Sequence, residues 1–414
     1  MKKSILLSFV VLAFLTAVSQ TRQRQVCLSS LQRTHLAQNT NVVRVYFDKW
    51  GNLYPDPAIG IPYKDFFDPY KTLNTFKHSA DCGNLERFYL IQKDQLDGLV
   101  KHYELQTIPA NDTQKFYAVQ SIIVKRYVDS LSRLLNAGGD KTLVVLIHGF
   151  NDPDPTGEFQ QMRAKLKSLN IDKGQTVYLE VYWDGLTANQ GFPPASGIWG
   201  RAQRNSAYVS LGVRDILQRL PYDTKIRIIT HSLGASVGTG ALFNTVSKWN
   251  KKDADMITYK KKSNKHWDYR DSVRNIPAPS QADIRLGMLA PAIPGGSTFK
   301  DFANRGATTV TAANNTITRV IVGFNRNDYA VTKRVGNSDY LASKAGSTTL
   351  GCNLEIDGIS EIQRSKSVLS GLGFEGIVDE INFTECPKGK REEHGLYFYL
   401  LNKKVDEFLG KVFN

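Results

Sequence analysis

The stretch Thr230-His231-Ser232-Leu233-Gly234-Ala235 has the residue types for nucleophilic chemistry. It follows the apolar run Ile226-Arg227-Ile228-Ile229, which reads as a buried strand. The small residues Ala235-Ser236-Val237-Gly238-Thr239-Gly240-Ala241 then open a helical segment. A sharp strand-to-helix turn at Ser232 would expose its hydroxyl and direct helix N–H groups at a developing oxyanion. Small flanking residues suit this turn because the chain there passes close to neighbouring elements. Together these features read as a nucleophile elbow.

On these residues the chain resembles the α/β-hydrolase fold family, over roughly residues 141–400. Thr230 stands where that family's Gly-x-Ser-x-Gly turn has its first glycine. The resemblance implies that His148-Gly149, at the end of an upstream apolar run, shapes an oxyanion hole. A glycine there lets the chain turn so that the next N–H faces the nucleophile. The N–H groups of Phe150 and Leu233 are therefore expected to share the oxyanion, with His148 structural.

The family's chain order is nucleophile, acid, histidine. Asp328, in Asn325-Arg326-Asn327-Asp328-Tyr329, directly follows the apolar run Arg319 to Phe324. Active groups of open parallel sheets gather at such strand ends. Asp357 and Asp379 are alternatives in less strand-like surroundings. Of seven histidines, only His394 follows both Ser232 and Asp328, just before a helical pattern from Leu396 to Phe408. The triad so implied is Ser232 as nucleophile, His394 as base and Asp328 as its acid partner.

The elements that must carry these residues are α/β in kind. Short β-branched runs recur at Thr142–Ile147, Val177–Tyr182, Lys225–Thr230, Ile284–Ala290 and Arg319–Phe324. Helical patterns lie between them, at Glu158–Leu169, Arg201–Leu220 and Leu233–Trp249. Such alternation predicts a mostly parallel central sheet with helices on both faces. Residues 20–140 form an extension expected to pack on the sheet or join it. It holds strand candidates at Val42–Phe47 and Arg87–Ile91 and a helical pattern over Thr113–Leu135. The core spans 141–414, with an excursion at about 248–280 after the nucleophile helix. The basic and aromatic part of that excursion, 248–274, reads as a surface decoration, a lid or a surface for an anionic partner.

Residues 1–19 read as a cleaved signal peptide, with Lys2 and Lys3, an apolar run Ile5–Leu15 and small residues Ala17-Val18-Ser19. The expected location is secreted or periplasmic, where disulfides form. The four cysteines allow three pairings, and local closure favours Cys27–Cys82 and Cys352–Cys386. The net charge of +14 reads as a solvated basic surface, with association with polyanions as the alternative, and no nucleic-acid motif accompanies it. No metal-ligand spacing is present, and the implied chemistry needs no cofactor. The expected substrate is a small-molecule or lipid ester. The same triad would serve an acyltransferase or a peptidase, and the fold also accommodates a non-catalytic binding protein.

Overall fold

The computed structural model describes residues 41–56, 84–137, 141–152, 155–171, 176–185, 194–243, 278–300, 310–332, 348–385 and 392–414. The signal-peptide stretch, Cys27, Cys82, Cys386 and the basic stretch 248–274 lie outside the described residues. Cys352 is buried, with its sulfur 3.5 Å from the Thr349 carbonyl. The favoured disulfides thus each involve a cysteine outside this set. Among the described residues, no helix is long and apolar enough to cross a membrane.

Among the described residues, seven strands form one parallel sheet. They are β1 (Val42–Phe47), β2 (Thr142–Ile147), β3 (Val177–Trp183), β4 (Lys225–His231), β5 (Asp283–Leu289), β6 (Ile317–Phe324) and, after a short separate hairpin of β7 (Glu355–Ile356) and β8 (Ile359–Ser360), β9 (Val378–Asn382). The order is β1-β3-β2-β4-β5-β6-β9. β1, from the amino-terminal extension, pairs with β3, with Val42 opposite Tyr178 and Phe47 opposite Trp183. Because every pairing is parallel, all seven strands end on one side of the sheet.

Helices connect and cover the strands. They are α1 (Leu85–Ile91), α2 (Lys93–His102), α3 (Asp112–Ala137), α4 (Pro155–Ser168), α5 (Pro194–Gln218), α6 (Gly234–Phe243), α7 (Gly296–Lys300), α8 (Tyr329–Thr332), α9 (Glu361–Ser370), α10 (Leu396–Leu401) and α11 (Val405–Phe413). Successive residues of a strand face opposite sides, and β5 shows both sides covered. A Cβ on Gly238 of α6 would lie 3.2 Å from Leu286, whereas one on the next residue, Gly287, would meet Val412 at 2.7 Å and Phe408 at 2.9 Å on α11. That double burial explains the unbroken apolar run of β2, where Leu143 to Ile147 are all buried.

β3 is buried along its whole length, including Glu180. An isolated carboxylate there would cost several kcal/mol, so it is paired. Arg44 lies 2.9 Å away, Arg163 forms a second ion pair, and the Tyr182 hydroxyl donates to the same carboxylate at 3.0 Å.

Two local expectations need correction. Arg87–Ile91 is helix rather than strand, within α1. The Asn84 side chain caps that helix by accepting from the Arg87 N–H at 3.1 Å. Its buried residues Leu85, Phe88 and Tyr89 have helical spacing, and Tyr89 packs against Phe116 of α3 with ring centroids 5.9 Å apart. The final helical pattern is also interrupted, giving α10 and α11. Asn402 makes the break: its side chain donates to the Phe383 carbonyl after β9 and accepts from the Lys404 N–H, each at 2.9 Å.

Candidate active site

Between β4 and α6 the chain reverses over two residues. Ser232 has φ of +53°, a left-handed conformation that costs a residue with a Cβ on the order of 1–2 kcal/mol. Two bonds hold it there. Its N–H donates to the Leu289 carbonyl, and its own carbonyl accepts from the Ala292 N–H, both at 3.0 Å. The end of β5 therefore braces the turn.

Glycine is required twice around this turn. A Cβ on Gly234 would lie 2.5 Å from the His148 carbonyl oxygen and 2.6 Å from that of Ile147. A Cβ on Gly149 would lie 2.9 Å from the Cβ of Ser232. These near contacts seat the start of α6 on the end of β2 and bring the Gly149-Phe150 segment beside Ser232. Among the described residues, the N–H groups of Phe150 and Leu233 have no protein acceptor. The Phe150 ring meets Trp199 of α5 edge-on at 4.9 Å.

Three sequence-predicted residues converge at the carboxyl ends of the strands. The Ser232 hydroxyl lies 2.7 Å from His394 Nε2, and His394 Nδ1 lies 2.7 Å from Asp328 Oδ2. A carboxylate can only accept, so Nδ1 carries the proton and Nε2 receives the serine hydroxyl bond. Asp328 is fully buried, and its remaining capacity is filled. The Tyr399 hydroxyl donates to Oδ2 at 2.6 Å, and the N–H groups of Ala330 and Val331 donate to Oδ1 at 2.9 and 3.3 Å. Burial and the neighbouring Asp328 carboxylate together push the Tyr399 phenol well above its ordinary pKa, so it stays a donor.

The alternative acids are elsewhere. Asp379 lies in β9, where Lys411 at 2.9 Å and Arg319 at 3.1 Å hold it. Asp357 is exposed in the turn between β7 and β8 with φ of +54°.

The loops bearing Asp328 and His394 are tied to each other through Glu392. Its N–H donates to the Asn327 carbonyl at 2.9 Å, and its carbonyl accepts from the Tyr329 N–H at 3.2 Å. Its carboxylate accepts from Asn325 Nδ2 at 2.8 Å. Neither Glu392 nor Tyr399 was marked by the sequence. Glu392 sits in a charged run, and Tyr399 reads as a core aromatic of a short helix.

His148 points away from the triad. Its Nδ1 donates to the Gly149 carbonyl at 2.9 Å, and its Nε2 accepts from the Trp183 N–H at 3.2 Å. Complete burial lowers its pKa to about 4, so the ring is neutral. His231, next to the serine, has a different environment. Its Nε2 donates to the backbone carbonyl of His394 at 2.8 Å, and its Nδ1 faces Glu158 Oε2 at 3.7 Å. Burial opposes charge on this ring, but the Glu158 carboxylate and the His394 carbonyl outweigh it and raise the pKa above its usual value. Burial likewise opposes charge on Glu158, yet His231 holds that carboxyl below its ordinary range.

The architecture is α/β: a mostly parallel sheet flanked by helices, with a Ser-His-Asp hydrogen-bonded chain at its carboxyl end. Comparison with protein-family models, with curated proteins and with solved structures gives no match.

Proposed function

We propose that this chain is a serine hydrolase of the α/β-hydrolase fold that cleaves a carboxylic ester through an acyl-enzyme on Ser232. The observation that carries the reading is the unbroken chain from Ser232 Oγ through the His394 ring to Asp328, with both links at 2.7 Å. The positions of the three residues after β4, β6 and β9 support the fold reading, since they follow the family's chain order.

In this mechanism His394 Nε2 takes the Ser232 proton as the oxygen attacks the ester carbonyl carbon. Asp328 stabilises the imidazolium that results. The Phe150 and Leu233 N–H groups hold the tetrahedral oxyanion, and His394 then returns the proton to the leaving alcohol. Water, deprotonated by the same ring, releases the acid and restores Ser232. The amino-terminal pattern supports export, so the reading includes a secreted or periplasmic enzyme.

Labelling with a fluorophosphonate probe tests this reading. Wild type is expected to label, and Ser232→Ala to remain unlabelled while keeping its fold. Wild type that is folded and unlabelled overturns the reading in favour of a binding protein. A panel of simple esters and amides, with and without an acceptor alcohol, then separates hydrolysis from peptidase and transferase chemistry.

A further inference from the structure

The proposed mechanism uses the side chain of His394 but leaves open what fixes its backbone. Among the described residues, the loop is held at two points. Glu392 ties it to the Asp328 loop. The second point is the carbonyl of His394 itself, which accepts from the buried His231 ring at 2.8 Å. A carbonyl accepts only, so His231 Nε2 must carry a proton. On the opposite side of the ring, Nδ1 meets a carboxylate, Glu158 Oε2, at 3.7 Å, which is an ion-pair contact rather than a hydrogen bond. A ring with an acceptor on one nitrogen and a carboxylate on the other is best satisfied when both nitrogens are protonated.

We propose that Glu158 and His231 form a second polar relay, in which His231 is a positioning residue that grips the His394 backbone carbonyl and Glu158 keeps that grip charged. The inference rests on the serine-hydrolase reading. Its geometry links three parts of the site. His231 adjoins the nucleophile in sequence. Glu158 lies in the first turn of α4, shortly after the Gly149-Phe150 segment. The residue gripped is the base itself.

The groups facing His231 come from every element around it. They are Glu158 from α4 with Asp152 beside it, His148 from the end of β2, Asp328 after β6, His394 after β9 and Tyr399 from α10. Among the described residues facing it, His148 and His394 are the ones that could add positive charge to oppose the imidazolium, and His148 is neutral above about pH 4. The carboxylates Glu158 and Asp328 favour it. A loosened His394 backbone would misplace Nε2, and misplacement by about 1 Å costs on the order of a hundredfold in rate.

Two measurements test the relay, one independent of activity. In protein carrying labelled histidine, the carbonyl carbon resonance of His394 is expected to follow the ring titration of His231. In Glu158→Gln that titration is expected about one pH unit or more lower. The second measurement is the pH profile of fluorophosphonate labelling. The alkaline limb of the profile is expected to move to lower pH in Glu158→Gln. His231→Phe should label about ten- to a hundredfold more slowly. His231→Gln, which keeps a donor near Nε2, should recover most of that loss.

A His394 carbonyl resonance that ignores the His231 titration overturns the relay. So does an alkaline limb unchanged in a folded Glu158→Gln protein. Wild type that never labels, while the carbonyl resonance does follow His231, overturns the hydrolase reading and leaves the grip established. If His231→Phe fails to fold, Glu158→Gln and the wild-type resonance decide.

Discussion

Asp328 is saturated with donors: the His394 ring, the Tyr399 hydroxyl and the N–H groups of Ala330 and Val331 all reach it. So many fixed dipoles leave the carboxylate one orientation, and with it the His394 ring. Asp328→Asn keeps the size but offers an N–H where Oδ2 now accepts, favouring the wrong tautomer of His394. The expected result is a loss of about three to four orders of magnitude in the fluorophosphonate labelling rate with little change in melting temperature. His148 and His231 predict how stability follows pH. His148 takes a proton near pH 4 when folded and near the ordinary 6.5 when unfolded. Between these values the unfolded chain binds the extra proton, so the contribution of His148 is complete above 6.5 and is lost as pH falls toward 4. The loss is on the order of 3 kcal/mol, from 1.36 kcal/mol per pH unit. His231, with its raised pKa, acts in the opposite sense: its contribution is complete below 6.5 and is lost as pH rises through its folded value. Urea melts from pH 7 to pH 4.5 should show falling stability, with a shallower slope in His148→Asn.

The turn between β4 and α6 depends on close backbone approach. Gly234→Ala would force a methyl onto two carbonyl oxygens at 2.5 and 2.6 Å, neither of which is the end of a flexible side chain. Relief requires moving α6 off the end of β2, at a cost of about 1–3 kcal/mol. Calorimetry should show the lowered stability, and labelling should fall because Ser232 moves with the turn. The same elements show where sequence reading succeeds. β1 and β2 occur at their expected limits, because runs such as Thr-Leu-Val-Val-Leu-Ile suit a strand buried on both faces. The convergence of Ser232, Asp328 and His394 was legible because chain order and strand ends constrain where they lie. β9 was not legible: three of its five residues, Val-Asp-Glu-Ile-Asn, are polar, as an edge strand allows. α1 was misread because the four consecutive aromatic and aliphatic residues Phe88 to Ile91 fit either period, and the deciding cap, Asn84, lies upstream of that run. The His231 contact was hidden for another reason. Its partner carbonyl is 163 residues away, and nothing local announces it.

Across the molecule, the parallel sheet brings to one end groups that are far apart in the chain. Asp328 and His394 are 66 residues apart, and Ser232 and His394 are 162 apart. No fragment short enough to fold by itself around one loop holds all three. Ser232 rests on central strands, with β4 between β2 and β5. His394 follows β9, which pairs only with β6 at the edge of the described sheet. Edge elements open at lower free energy than central ones. Reactivity thus becomes a gauge of local opening: release of β9 and α10 would remove the base while most of the helix and sheet signal persists. In a urea titration, labelling should disappear at a lower concentration than the far-ultraviolet dichroism, and recover at once on dilution. Coincident curves would mean that the edge and the centre melt as one unit.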